Sequence, residues 1–192
     1  MHVAIAGAHG QVARRLGRLL SARGDRVTGI VRNPDHAADV TADGAARLVL
    51  DLERTDPEAV AAELSGVDAV VFSAGAGPGS GDARKQTVDH GAAVLLGDAA
   101  LAAEHDLLAR DGLTLTVLRP GGLTDSPGTG RVTLAASAPR GQVPRDDVAA
   151  VLVALLDVPA TAGLVLELVG GDVPVADAVA AAVGPLGGPS SG

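Results

Sequence analysis

Gly7, Gly10 and Ala13 stand three apart in the stretch VAIAGAHGQVARRLGRLL, residues 3–20. A strand-like apolar run precedes them and a helical pattern follows, which is where a phosphate-holding turn has to sit. Each type has a use there. Gly7 permits a tight turn, Gly10 lets the backbone come close to a pyrophosphate, and the small Ala13 lets helix and strand pack. The first N–H groups of the helix attract anions. The turn Gly7, Ala8, His9, Gly10, Gln11 and Val12 is therefore the candidate binding site for a dinucleotide. A turn in a chain that scatters 26 glycines is the plainer alternative.

The end of the second strand bears on which dinucleotide. An acid there suits the ribose hydroxyls of NAD, a base the extra phosphate of NADP. The residues are GIVRNPDH, with Arg32 in place and no acid, so NADP(H) is favoured over NAD(H), although an exposed Arg is also common on any surface. His36 could add a contact, or be a solvated loop histidine.

Other chemistry is bounded by what the chain lacks. It has no Cys, no Tyr and no Trp, one aromatic (Phe72), and one lysine (Lys85) among 15 basic residues. Thiolate nucleophiles, thiolate metal sites and disulfides drop out together, as does any mechanism built on a phenol. No paired histidines at helical spacing suggest a metal. Lys85 reads better as a surface lysine than as a catalytic one, and Asp89 and His90 as structural or exposed.

The elements that must position these residues alternate. Strands are expected near residues 3–6, 27–31, 47–50, 69–73, 115–118 and 164–169. Helices are expected over 11–22, 57–64, part of 83–110, 146–156 and 175–183. That alternation reads as α/β, a Rossmann-type doubly wound parallel sheet in a single domain over residues 1–183. The Gly/Pro/Ser-rich tail, 184–192, is expected to be disordered.

Several segments, IAGAHGQVARRL, VRNPDHAADV, LVLDLE, DAVVFSAGAG, TVLRPGGLTDSPGTGRV and VPRDDVAAVLVALL, together resemble the atypical short-chain dehydrogenase/reductase proteins. Within these the likeness is to the small NAD(P)H-binding group with NmrA-like and biliverdin/flavin-reductase-like members. The resemblance implies that Asp51 and Leu52 border the adenine, that Ser73, Ala74 and Gly75 line the ribose side, and that Arg119, Pro120, Gly121 and Gly122 border the nicotinamide. On the residues alone Asp51 could equally cap a loop, and Pro-Gly-Gly be a plain turn.

Measured against that group, a segment is missing. VDHGAAVLLGDAA runs straight into LAAEHDLLARDGLTLTVLRPGG, as if one strand and parts of two helices had been excised, with the place where catalytic members carry Tyr-x-x-x-Lys. Fusing two helices on the same sheet face keeps one right-handed crossover, so the sheet is expected to be one strand narrower. A continuous helix over most of 83–110 would run roughly 40 Å beside strands of about 20 Å, so a kink or loop is expected near Gly97–Ala100.

The resemblance and the gap leave three functions open: an NADPH-dependent oxidoreductase on a small flavin- or quinone-like acceptor, a non-catalytic NADP(H)-sensing regulator, and a shortened remnant with impaired activity. His9, His90 and Ser73 are weak candidates for proton delivery. A net charge of −8 repels nucleic acid, and the longest apolar run, residues 148–156, is too short for a bilayer. A cytoplasmic protein with a small-molecule substrate is expected; the sheet edge exposed by the shortening could promote a homodimer.

Overall fold

The computed structural model describes residues 1–52, 54–73 and 115–184. The chain divides into two compact units, Met1–Leu101 and Ala102–Gly192. Its fold is α/β with a parallel sheet, Rossmann-like.

In the first unit β1 (His2–Ala6), β2 (Arg26–Val31), β3 (Ala46–Val49) and β4 (Ala69–Phe72) form a sheet of order β3-β2-β1-β4, all pairs parallel. Strand β1 is buried at all five positions, and Val3 to Ala6 are apolar, as suits a strand with neighbours on both edges. Helices α1 (Gln11–Arg23), α2 (Ala37–Ala42) and α3 (Pro57–Glu63) connect the strands. Helix α1 buries Ala13, Leu16, Gly17 and Leu20 along one stripe. It stops at Gly24, whose φ of 93° and N–H bonds to the carbonyls of Leu20 and Ser21 form a left-handed cap.

In the second unit β5 (Val117–Pro120) and β9 (Val165–Gly170) pair in parallel, while β7 (Arg131–Ala135) and β10 (Val173–Pro174) add antiparallel, in the order β10-β7-β9-β5. A two-stranded parallel ribbon joins β6 (Gly122–Thr124) to β8 (Gln142–Pro144). Helices α4 (Arg145–Leu156) and α5 (Val175–Ala182) complete the unit. Strands β6, β7, β8 and β10 are additions to the expected set. All but β7 have only two or three residues, too few for alternation to register.

At the head of α4, Asp147 is 2% exposed. It accepts hydrogen bonds from the N–H groups of Thr129 (3.0 Å) and Gly130 (2.8 Å) and from the Thr129 hydroxyl (3.0 Å). These bonds from Thr129 and Gly130 are what let the carboxylate be buried.

The observed strand and helix ends fall within a few residues of those expected. The expected helix within 83–110, its break at Gly97–Ala100, and the tail from residue 185 lie outside the described residues. No helix among the described residues is long and apolar enough to cross a membrane.

Candidate functional site

Because β1, β2, β3 and β4 are parallel, the segments that follow them all emerge at one edge of the first unit's sheet. Ligands bind at such an edge where neighbouring strands send their connections to opposite sides. Strand β1 pairs with β2 on one side and β4 on the other, and the turn after β1 is the glycine turn.

Gly7 has a φ of 76°, a conformation that costs an L side chain roughly 1–2 kcal/mol. Its carbonyl accepts the Gly10 N–H at 2.9 Å, closing the turn. A Cβ on Gly10 would stand 3.2 Å from that carbonyl oxygen and 3.5 Å from the Ser73 carbonyl oxygen at the end of β4, so a side chain here would crowd the Gly7 carbonyl. Gly10 caps α1, whose first turn carries no acidic residue to compete with an incoming anion for the positive end of the helix dipole. Gln11 is exposed, Val12 half-buried and Ala8 buried. The Ala8 N–H donates to the Ile30 carbonyl at 3.1 Å, tying the turn to β2.

In the sequence His9 is part of the turn and a weak candidate for proton delivery; the fold gives it company. Its ring stacks on that of His36, centroids 3.6 Å apart and 9° from parallel, and its Nε2 stands 2.9 Å from Asp39 Oδ2. Asp39 also lies 3.5 Å from Arg14 Nη1. Arg14 Nε and Arg18 Nη1 then donate to Asp43 at 2.6 and 2.7 Å. Burial pushes the Asp43 carboxyl up, but hydrogen bonds from the two guanidiniums outweigh it and hold the group below its ordinary value. This chain of charges pins α2 against α1 and hence beside the turn. The sequence reading missed it because α2 has six residues and buries only Val40, leaving no apolar period to see.

One signal was available in Gly29, mid-strand in β2. A Cβ there would run into Val40 of α2 and lie 2.9 Å from the Ala8 Cβ. Glycine inside a strand marks close approach of another element, and here two elements approach.

Arg32 is exposed immediately beyond β2. Asp51, half-buried beyond β3, organises its own turn: its carbonyl accepts the N–H groups of Arg54 (3.1 Å) and Thr55 (2.9 Å) and the Thr55 hydroxyl (2.7 Å). Those bonds use its backbone carbonyl, and its side-chain Oδ2 lies 3.9 Å from Arg54 Nε. Leu52 beside it is 38% exposed, an apolar side chain facing solvent beyond β3. Ser73 continues β4, its N–H bonded to the Ala6 carbonyl at 3.0 Å. Ala74, Gly75, Lys85, Asp89 and His90 lie outside the described residues. Arg119, Pro120, Gly121 and Gly122 belong to the second unit, where the Gly121 N–H bonds the Leu168 carbonyl at 2.8 Å and the Gly122 N–H bonds the Gly141 carbonyl at 3.0 Å. Among the described residues no group of three or more His, Asp or Glu is arranged to hold a metal. His2, at the opposite strand ends, is a satisfied core histidine between the Gly66 carbonyl (3.1 Å) and the Thr28 hydroxyl (2.9 Å).

The sequence profile of the family described as NAD(P)H-binding matches residues 7–104 and 91–159, most of the chain and the whole glycine turn. The chain belongs to this NAD(P)H-binding family. Within it, the chain is 34% identical to the uncharacterized sugar epimerase YhfK of Bacillus subtilis, over 212 aligned residues covering 93% of this chain and 99% of the relative. The alignment is longer than the 192-residue chain, so that relative carries residues with no counterpart here. A solved Bacillus halodurans protein, named as an NAD-dependent epimerase/dehydratase, superposes with a TM-score of 0.76 at 28% identity, covering 94% of this chain and 99% of that one. ChuY, an anaerobilin reductase of Escherichia coli O157:H7, does so with a TM-score of 0.69 at 25% identity, covering 90% and 98%.

Proposed function

We propose that this family member binds NADP(H) in preference to NAD(H) and works as an NADPH-dependent oxidoreductase on a small conjugated acceptor of flavin or quinone type. The observation that carries the cofactor part is the Gly7–Gly10 turn after β1, where a Cβ on Gly10 would crowd the Gly7 carbonyl oxygen at 3.2 Å, leading into an acid-free helix start. Arg32 beyond β2, with no acid at that position, supports the phosphate-bearing cofactor.

Bound NADPH would supply a hydride; the acceptor gains that hydride and one proton, and NADP⁺ is released. The chain's own residues would bind and orient. The turn N–H groups would receive the pyrophosphate, Arg32 the 2′-phosphate, and Leu52 an adenine face. The relatives' names include both epimerases and reductases, and the composition favours the second. Removing a hydride from an alcohol requires a base for the hydroxyl proton, and the chain has no Tyr to serve. Reduction of a conjugated acceptor leaves a delocalised anion that solvent can protonate.

The same lack of Tyr favours a second reading, a protein that senses the NADP(H) redox state without turnover. Titration with NADPH and NADH, followed by the cofactors' own fluorescence, tests the binding step. NADPH-selective binding followed by acceptor-dependent NADPH oxidation is expected. Binding without oxidation of any acceptor selects the sensor, and binding of neither cofactor overturns both readings.

A further inference from the structure

His9 sits inside the glycine turn, and His36 ends the short turn that follows Arg32 and Asn33. Their rings lie 3.6 Å apart and within 9° of parallel. Two imidazolium charges at that spacing disfavour each other, as any like pair does. Asp39 Oδ2 stands 2.9 Å from His9 Nε2 and sets one negative charge against the pair. Part of that charge is already directed at Arg14 Nη1, 3.5 Å away. Without a further anion, the arrangement therefore disfavours charging both rings.

The charged groups around the pair come from several elements. Arg14 belongs to α1, with Asp43 behind it, and Asp39 belongs to α2; Asp35 and Arg32 share the loop with His36. Among the described residues nothing hydrogen-bonds the His36 ring, which is half-buried. Stacking on His9 fixes the plane of that ring, while Asp39 fixes His9.

We propose that this pair makes the cofactor preference proton-linked: the dinucleotide with a ribose phosphate draws a proton from solvent onto the stacked imidazoles as it binds, and the one without it does not. A phosphate monoester brings a charge of about −1.5 to −2 near neutrality. Received by Arg32 and His36, it offsets the repulsion between the rings, so a charged imidazole and a bound phosphate stabilise each other. Histidine suits the task because its ordinary proton exchange falls between about pH 5 and 8. NADPH and the proton go on together and leave together, so NADPH binding tightens as pH falls toward neutrality. The proposal rests on the reading that the loop after β2 receives the 2′-phosphate, and adds how that contact is regulated.

The test uses the full chain with NADPH and NADH. Fluorescence titrations run from about pH 8.5 to about pH 7, above the last ionisation of a phosphate monoester at about pH 6. NADPH is expected to bind about threefold or more tighter at the lower pH, and NADH equally at both. Calorimetry in buffers of different ionisation enthalpy counts the protons. Uptake is expected with NADPH, whereas a phosphate drawn only to fixed cations would release protons. His36→Gln is expected to abolish the uptake and the slope, weakening NADPH about threefold at the lower pH and leaving NADH unchanged. A flat NADPH profile, proton release, equal uptake with NADH, or an unaltered slope in His36→Gln overturns the proposal. The wild-type calorimetry decides it even if the variant folds poorly. NADPH-selective binding without uptake sinks the proton linkage alone. No NADPH binding, or equal binding of both cofactors throughout, sinks the NADP(H) reading and the linkage with it.

Discussion

Gly10 and Arg32 carry the nucleotide reading at the scale of single residues, and each can be tested alone. A valine at Gly10 crowds the Gly7 carbonyl, whose oxygen would stand 3.2 Å from its Cβ, and adds two methyls where the pyrophosphate has to approach the backbone. Gly10→Val is expected to weaken NADPH by about tenfold or more in fluorescence titration while retaining a cooperative melt. Arg32→Ala is expected to weaken NADPH about tenfold and leave NADH unchanged, the loss of one charge-assisted contact to a phosphate. Equal losses for both cofactors would mean that Arg32 does not face the 2′-phosphate.

Helix α2 matters at the next scale, because it brings Asp39, and His36 just before its start, to the turn. Gly29→Ala places a methyl between Val40 and Ala8 and is expected to cost about 1–3 kcal/mol by overpacking, read by denaturant unfolding. Asp43 is its polar tether to α1. With the carboxyl held below its usual 3.8, the folded state binds the proton more weakly than the unfolded chain. Its stabilisation is therefore complete above the unfolded value and is lost as pH falls through the lower, folded one. Asp43→Asn is expected to cost about 1–2 kcal/mol near neutrality, and the gap to wild type should close below about pH 4. A gap of constant size across that range would place the tether's effect in shape rather than charge.

Ligand linkage is the test at the scale of the whole chain. A cofactor that binds only the folded state adds about 2.7 kcal/mol at a hundredfold excess over Kd. In a chain of this length that should raise the melting temperature by about 5–10 °C. One cooperative transition shifted by NADPH is expected; a broad melt that NADPH does not move would fit a shortened remnant whose pocket is incomplete.

What the sequence determined by itself was local and periodic. The fully buried β1, the amphipathic α1 and the glycine turn between them are legible because strand, helix and tight turn each impose their own short-range pattern on residue type. The end of β2 likewise shows Arg32 without any knowledge of neighbours. Only the tertiary structure brought His36 and Asp39 to His9, gave Gly29 its reason, and spent the Asp43 and Asp147 carboxylates on tethers. It alone set Arg119 beside Glu167 across β5 and β9. Those relations join residues from 11 positions apart, as Gly29 and Val40 are, to 48, as Arg119 and Glu167 are. Chain separation of that size leaves no period, and the pairing follows from parallel strands delivering their loops to a common edge and glycines letting backbones touch.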